Sequence, residues 1–467
     1  MKYLQSKLFL SLVVLSTALL MWFIPTPEGL SADAWHLFII FFTTIVSIIL
    51  TLLPIFTASI LAVSFAILSG TMDPKAAYGG FDESFILLII AAFLVARGVV
   101  KSGLGKRIAL HIIKKFGGST LGLGYSMVAT DIIIAPAFPS NTARSGVLYP
   151  IVESLAHDSG SKIGDKTQKK MGSYLMMNSM AGIAISSSLW LTAMASNPVG
   201  AGIAAQVGID ITFGSWFRAA VVPVFAAFLI TPWLLYKIFP PELKDTPNAP
   251  KNAQKELEHM GKMSKNEWIT GGVFISMVTL WALSSTLALD KTAIAFGGLA
   301  ILMISKIFTM EDMKTQGDAL STLVWFAILY AMSSELNRLG FMNYVGEGIA
   351  EQLQGMSWQL VYFILVSLYV LIHYLFVSQT AHMLALFGVF LQVGIDADVP
   401  GELLALMLLF ATNFNSVITP QGSSANVLFA GSGYLSASEI YKNGGIVTLT
   451  NTIIFLTIGT GWILLIS

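Results

Sequence analysis

The chain has no cysteine. That absence excludes disulfides, thiolate metal ligands and cysteine nucleophiles, and it leaves the compartment open. Histidine is nearly as scarce, 6 residues in 467, and none falls into a zinc-binding spacing, so the residues imply no metal site and no cofactor. Charge is thin as well: 26 basic residues balance 26 acidic ones, and the formal net charge is zero. With no basic excess nothing points to nucleic-acid binding, and the information lies in where the charges sit. What the chain has in abundance is apolar residues, 55% of the total. No soluble domain of this length has that composition, and the expected class is an all-α polytopic membrane protein.

Apolar runs long enough to cross a bilayer lie at residues 7–24, 35–53, 55–68 and 85–100. The first resembles a signal peptide, but it is long and has no small-x-small cleavage site, so it reads as a retained first span. A tight turn over 53–57, around Pro54, joins the second run to the third. Next comes KSGLGKRIALHIIKKFGG, where Lys101, Lys106, Arg107, Lys114 and Lys115 interleave with apolar residues at helical spacing, the pattern of an interfacial amphipathic helix. The segment 121–155 follows, and then a polar stretch with Lys162, Lys166, Lys169 and Lys170. A span at 174–203 is broken at LTAMASNPVG, and 216–238 is another span. Residues 240–267 form the one clearly polar linker. Beyond it the order returns: spans at 268–287, 294–308 and 321–333, a segment at 358–394, a span at 403–430 broken around TPQGSSAN, and a last span at 446–466.

Within 121–155 the run APAFPSNTARSG places Pro136 and Pro139 beside small hydroxyl residues, an amide and an arginine. Broken backbone at membrane depth is tolerated only where it faces protein or a water-filled cavity, so this break marks a binding site. In the second half Ser378, Gln379, Thr380, Ala381 and His382 stand where Ser140 to Arg144 stood. Basic residues flank the first segment at both ends, so it enters and leaves from the cytoplasmic side as a re-entrant hairpin. The second is flanked by Glu335, Glu347 and Glu351, opposed only by Arg338, and then by Asp396, Asp398 and Glu402. It therefore enters from outside. Paired motifs with opposite flanking charge describe an inverted repeat. A count of about eleven transmembrane helices from a cytoplasmic N-terminus agrees, with only Lys75, Arg218, Lys291 and Arg338 of the basic residues on or near the outer face. The expected division is 1–239 for the N-terminal span and first repeat, 240–267 for a cytoplasmic linker and 268–467 for the second repeat.

Through SNT in the first hairpin and SQT in the second, the chain resembles the divalent anion sodium symporter (INDY) family over essentially its whole length. The longer forms SNTARSG and HYLFVSQTAH resemble its exchanger branch, which includes bacterial dicarboxylate antiporters and plastid 2-oxoglutarate/malate translocators. The resemblance implies a homodimer in the cytoplasmic (inner) membrane of a bacterium, each protomer with a scaffold and a mobile transport domain that moves substrate by an elevator motion. It also implies that Ser140, Asn141 and Thr142 grip one carboxylate and that Ser378, Gln379 and Thr380 grip the other, with Gln379 in place of the family's commoner Asn. Thr192, Ser196 and Asn197 in one broken span, and Thr419, Gln421, Gly422 and Ser423 in the other, complete the walls.

Each of these residues also has a plainer reading. A lone Ser or Thr in a span usually packs or bonds back to its own helix, although packing does not require matched triplets. Arg144 either pairs with Asp131 on the other hairpin arm or acts electrostatically at the site. His382 is either a hydrogen-bonded core histidine or the counterpart of Arg144, and its matching place favours the second. His373, Met176 and Met177 read as packing. An intramembrane enzyme would need a nucleophile with its base or paired carboxylates, and Asp131 stands alone in the hairpin cores. A channel would need a continuous polar pore rather than breaks confined to the midplane. A carrier fits best. An uncompensated Arg144 beside the first tip would repel sodium, help neutralise a carboxylate and make the empty crossing costly. The expected function is sodium-independent exchange of dicarboxylates of the 2-oxoglutarate, malate or succinate type; the alternative is sodium-coupled di- or tricarboxylate symport.

Overall fold

The computed structural model describes residues 2–164 and 166–466, and among these every regular element is helical. Eight helices among the described residues are long and apolar enough to cross a membrane, including Ala32–Ile49, Ser84–Ser102, Phe213–Ile238 and Ala437–Ile466, and Lys7–Phe23, Ile55–Leu68 and Lys291–Ile304 are shorter apolar helices. This is a multi-pass membrane protein. Helix starts carry their own signals. Ser31, Ser119, Ser357 and Asp290 each cap a helix by accepting a backbone N–H, and Ser264 with Glu267 and Ser436 with Glu439 form reciprocal capping boxes.

Elements recur in order and in length. Ile55–Leu68 and Pro74–Tyr78 in the first half correspond to Lys291–Ile304 and Met310–Lys314 in the second. Each half then has a long helix, Ser84–Ser102 or Gly317–Arg338, followed by Leu104–Phe116 or Phe341–Gln352. The turn into that last helix is made by Gly103 (φ 80°) in one half and Gly340 (φ 81°) in the other, a left-handed conformation that only glycine adopts without strain.

The chain folds into two compact units. One comprises residues up to Ile90 with Val199–Asp210 and Gln316–Leu408; here Gly317–Arg338 packs on Ala32–Ile49 and Ile55–Leu68, and Phe38 stacks on Phe341 at 4.5 Å. The other comprises Ala91–Pro198, Ile211–Thr315 and the chain from Leu409 onward. Its centre is the helix Gly172–Leu189, buried along its whole length, with Met176 and Met177 in the core as expected. The last long helix lies so close to the second broken span that a Cβ on Gly444 would sit 2.0 Å from the Val417 carbonyl oxygen.

Three sequence expectations change. The turn over 53–57 lies earlier: the helix ends at Ile49, Thr51 turns at φ 51°, and Pro54, extended at φ −59°, sets up the next helix from Ile55. The linker is not only a linker, because it holds the helix Asn248–Met260, whose Ala249, Ala253 and Leu257 form a narrow apolar stripe against Leu104–Phe116. That second helix is amphipathic as expected, but Arg107 is not an interfacial charge. It is buried, with its fork on the Glu267 carboxylate (Nη2 to Oε2, 3.1 Å) and on the Gly261 carbonyl at 3.0 Å. The Asp312 carboxyl, on the short helix Met310–Lys314, is held down at about 2 by the Lys101 ammonium at 2.7 Å and by the Thr309 cap.

Candidate functional site

The two hairpins are built residue for residue alike. Adding 238 to the first hairpin's boundaries gives the second's: Thr120–Ile134 becomes Trp358–Ile372, the short turn Ala135–Ala137 becomes His373–Leu375, and Asn141–Asp158 becomes Gln379–Asp396. Ser140 caps its helix by accepting the Ala143 N–H at 3.2 Å, and Ser378 accepts that of Ala381 at 3.3 Å. Both tips thus present a serine-capped helix N-terminus followed by an amide and a threonine. Such ends carry positive potential and oriented N–H donors, the chemistry that receives an anion.

Behind the first tip lies a dense polar cluster. Arg144 is fully buried, and its Nη1 donates to Asp131 Oδ2 and to Ser186 Oγ, both at 2.6 Å. Its Nη2 donates to Asn141 Oδ1 at 2.6 Å and to Ser187 Oγ, and reaches the Ile183 carbonyl at 3.4 Å. Ser186 Oγ also donates to Asp131. The expectation of an uncompensated arginine is therefore corrected: the carboxylate thirteen residues earlier, on the facing arm, balances its charge. Burial of a lone guanidinium would be prohibitive, and the pair with its hydroxyl partners is what makes the position tenable.

The broken spans are stitched rather than loose. In the first, Thr192 Oγ1 donates to the Pro136 carbonyl and the Ala195 N–H to the Pro139 carbonyl, each at 3.0 Å, so the tip's freed carbonyls find donors on the neighbouring break. Asn197 Nδ2 bridges the gap to the Ser187 and Trp190 carbonyls at 3.1 and 3.3 Å. Adding 229 to those three positions gives the second break, where Asn426 Nδ2 donates to the Ser416 and Thr419 carbonyls at 2.6 and 2.9 Å. Asn413 joins the system by donating to Asn197 Oδ1 at 2.9 Å. Ser423 caps the short helix Ser424–Gly431, and Thr142 at the first tip donates to Ser424 Oγ at 2.6 Å. Ser196 and Thr419 are buried, Gly422 is buried and Gln421 is half-buried.

The first tip and both breaks belong to one compact unit; Ser378, Gln379, Thr380 and His382 belong to the other. Gln379 and Thr380 are buried, and His382 is fully buried among the rings of Tyr369 (4.2 Å), His373 and Phe376 (both 5.0 Å). Ser186, Ser187, Asn413 and Ser424 escaped the sequence reading. The signal for the first two was present as a run of three serines, 186–188, inside an apolar helix. No cluster of His, Asp and Glu able to hold a metal ion occurs among the described residues.

Comparison with known proteins gives the same class. Over 98% of this chain and 96% of its own, the putative malate transporter YflS of Bacillus subtilis is 39% identical. Dicarboxylate transporter 1, chloroplastic, of Arabidopsis thaliana is 38% identical over 97% of this chain and 82% of its own, and the inner membrane protein YbhI of Escherichia coli is 30% identical over 98% of each. The solved YdaH transporter of Alcanivorax borkumensis shares the fold at 14% identity, with a TM-score of 0.59 over 84% of this chain and 87% of that one. The family model described as the sodium:sulfate symporter transmembrane region matches residues 5–467, and the chain accordingly belongs to this family, the divalent anion sodium symporters, which are transporters and not enzymes.

Proposed function

We propose that the protein exchanges dicarboxylates across the cytoplasmic membrane of a bacterium, without sodium, as a homodimer of elevator carriers. The observation that carries this reading is the pair of serine-capped tips at a constant offset, each with an amide and a threonine next to the cap. A repeated anion-receiving end suits a substrate with two carboxylates, one for Ser140, Asn141 and Thr142 and one for Ser378, Gln379 and Thr380. The names of the bacterial and plastid relatives support the same substrate class. Sulfate is the rival anion, given the description of the family model. Uptake of radiolabelled succinate into proteoliposomes separates them: unlabelled malate and 2-oxoglutarate are expected to compete, and sulfate and acetate are not. Competition by sulfate alone would overturn the substrate assignment.

Sodium independence is supported by what surrounds the first tip. One oxygen each from Asp131, Asn141, Ile183, Ser186 and Ser187 converges on the Arg144 guanidinium, so a resident cation already stands at the centre of this cluster. Because Asp131 balances Arg144, the cost of an empty crossing is assigned to polar tip groups deprived of an anion rather than to a bare arginine. Sodium-coupled symport remains the alternative that the coupling measurement below excludes or restores.

The inverted repeat is proposed on flanking charge and the recurrence of elements. Exposed Lys166 is expected on the cytoplasmic side and exposed Asp398 outside. The chain's lack of cysteine makes single Lys166→Cys and Asp398→Cys variants directly readable with an impermeant maleimide in intact cells. Labelling of Asp398→Cys alone is the expected outcome; equal labelling of both contradicts the inversion.

A further inference from the structure

Arg144 would ordinarily be assigned to the substrate, as a cation beside an anion site. Its hydrogen bonds point the other way. Both terminal nitrogens are spent on protein oxygens: Nη1 on Asp131 and Ser186, Nη2 on Asn141, Ser187 and the Ile183 carbonyl. A guanidinium only donates, so the atom of Asn141 that faces it has to be the amide oxygen. Ser187 Oγ, whose one proton goes to the Ile183 carbonyl at 2.6 Å, accepts from the same Nη2 and holds it in place. The amide plane is thereby oriented. Its NH2 edge is turned away from the cluster, to the side where Met194 Sδ lies 3.8 Å from Nδ2.

We infer that Arg144, anchored by Asp131 and the two serines, is a positioning residue that holds Asn141 with its donor edge toward the substrate, and that Arg144 is not itself a substrate ligand. The inference rests on the reading of Asn141 as a carboxylate donor. Without the arginine an asparagine amide can turn over and present its oxygen, which would repel a carboxylate instead of binding it. An arginine is needed because its planar fork spans two partners at once: Asp131 on one arm of the hairpin and Asn141 at the start of the other. A lysine supplies the same charge as a single point and cannot fix the amide while it reaches the carboxylate. At the positions matching Asp131 and Arg144 the repeat has Tyr369 and His382, whose rings meet at a tilt with centroids 4.2 Å apart.

The test uses the full-length protein in proteoliposomes, with KM and maximal rate for radiolabelled succinate exchange. Arg144→Lys keeps the charge and is expected to raise KM roughly tenfold or more, as Arg144→Gln does. Asn141→Ala raises KM to a similar extent, and the double variant Asn141→Ala/Arg144→Gln is expected to be no worse than Asn141→Ala, because both changes remove one interaction. Asp131→Asn is expected to raise KM. Should that variant fail to fold around an unpaired arginine, Asp131→Asn/Arg144→Gln removes both charges with shape retained and is expected to match Arg144→Gln. Three results would overturn the inference alone while Asn141→Ala stays impaired: normal KM in Arg144→Lys, multiplicative losses in the Asn141/Arg144 pair, or a lower KM in Asp131→Asn from a guanidinium released to the substrate. A normal KM in Asn141→Ala would instead remove the binding reading, and this inference with it.

Discussion

Asn141→Ala and Thr380→Ala are each expected to cut dicarboxylate uptake tenfold to more than a hundredfold while the protein remains folded and membrane-inserted. Each change deletes one polar contact at one tip, and a hydrogen bond to a charged group in a buried setting is worth ~1.5 to 3 kcal/mol, or roughly ten- to more than a hundredfold in affinity. Both side chains are nearly buried, with Asn141 5% and Thr380 9% exposed, so neither is an interchangeable surface group. Asn141 Oδ1 also receives the buried Arg144 Nη2, so its loss disturbs the cluster behind the first tip. A drop in thermal stability is therefore expected for that variant as well. Initial uptake rates over a range of substrate concentrations, beside size-exclusion profiles of the purified variants, measure this; unchanged transport in both would mean that the tips only pack.

The second large effect concerns stability. Asn197→Ala and Asn426→Ala should each lower the unfolding free energy by ~2 to 4 kcal/mol, since each asparagine donates to two carbonyls left open where its helix is interrupted and an unsatisfied buried carbonyl costs ~1 to 3 kcal/mol. The isosteric Asn197→Asp should be at least as harmful, because a carboxylate keeps the volume and loses both donors. Thermal unfolding of the detergent-solubilised variants tests it. An unaltered midpoint in both alanine variants would mean that the breaks are held by other contacts.

Much of this arrangement was legible in the residues alone. Prolines and polar triplets inside apolar runs located both hairpins and both broken spans, because a membrane leaves few reasons for such residues to be there. Spacing between the two motifs also foreshadowed a repeat that the helix boundaries follow to the residue. Partners distant in sequence were less legible. Asp131 was near enough to Arg144 to be considered, yet nothing local said that Ser186 and Ser187 from a third helix would close the cluster. Arg107 looked like its neighbours Lys106 and Lys114 because helical periodicity shows a face without saying what covers it, and its cover, Glu267, lies 160 residues away. The helix in the linker was hidden for a related reason: its buried stripe is only Ala249, Ala253 and Leu257, while charge dominates its composition. The repeat puts His382 where Arg144 stands, and no local pattern showed that the rings of Tyr369 and Phe376 would gather around it.

The central claim is exchange of dicarboxylates without sodium, and one experiment addresses it directly. Proteoliposomes containing the purified protein are loaded with 2-oxoglutarate or left unloaded, and uptake of radiolabelled succinate is followed in sodium and in choline buffer. Rapid uptake into loaded vesicles in both buffers, with little into unloaded ones, is the result expected. Uptake that depends on an inward sodium gradient and ignores the internal dicarboxylate would contradict the account and assign the protein to symport.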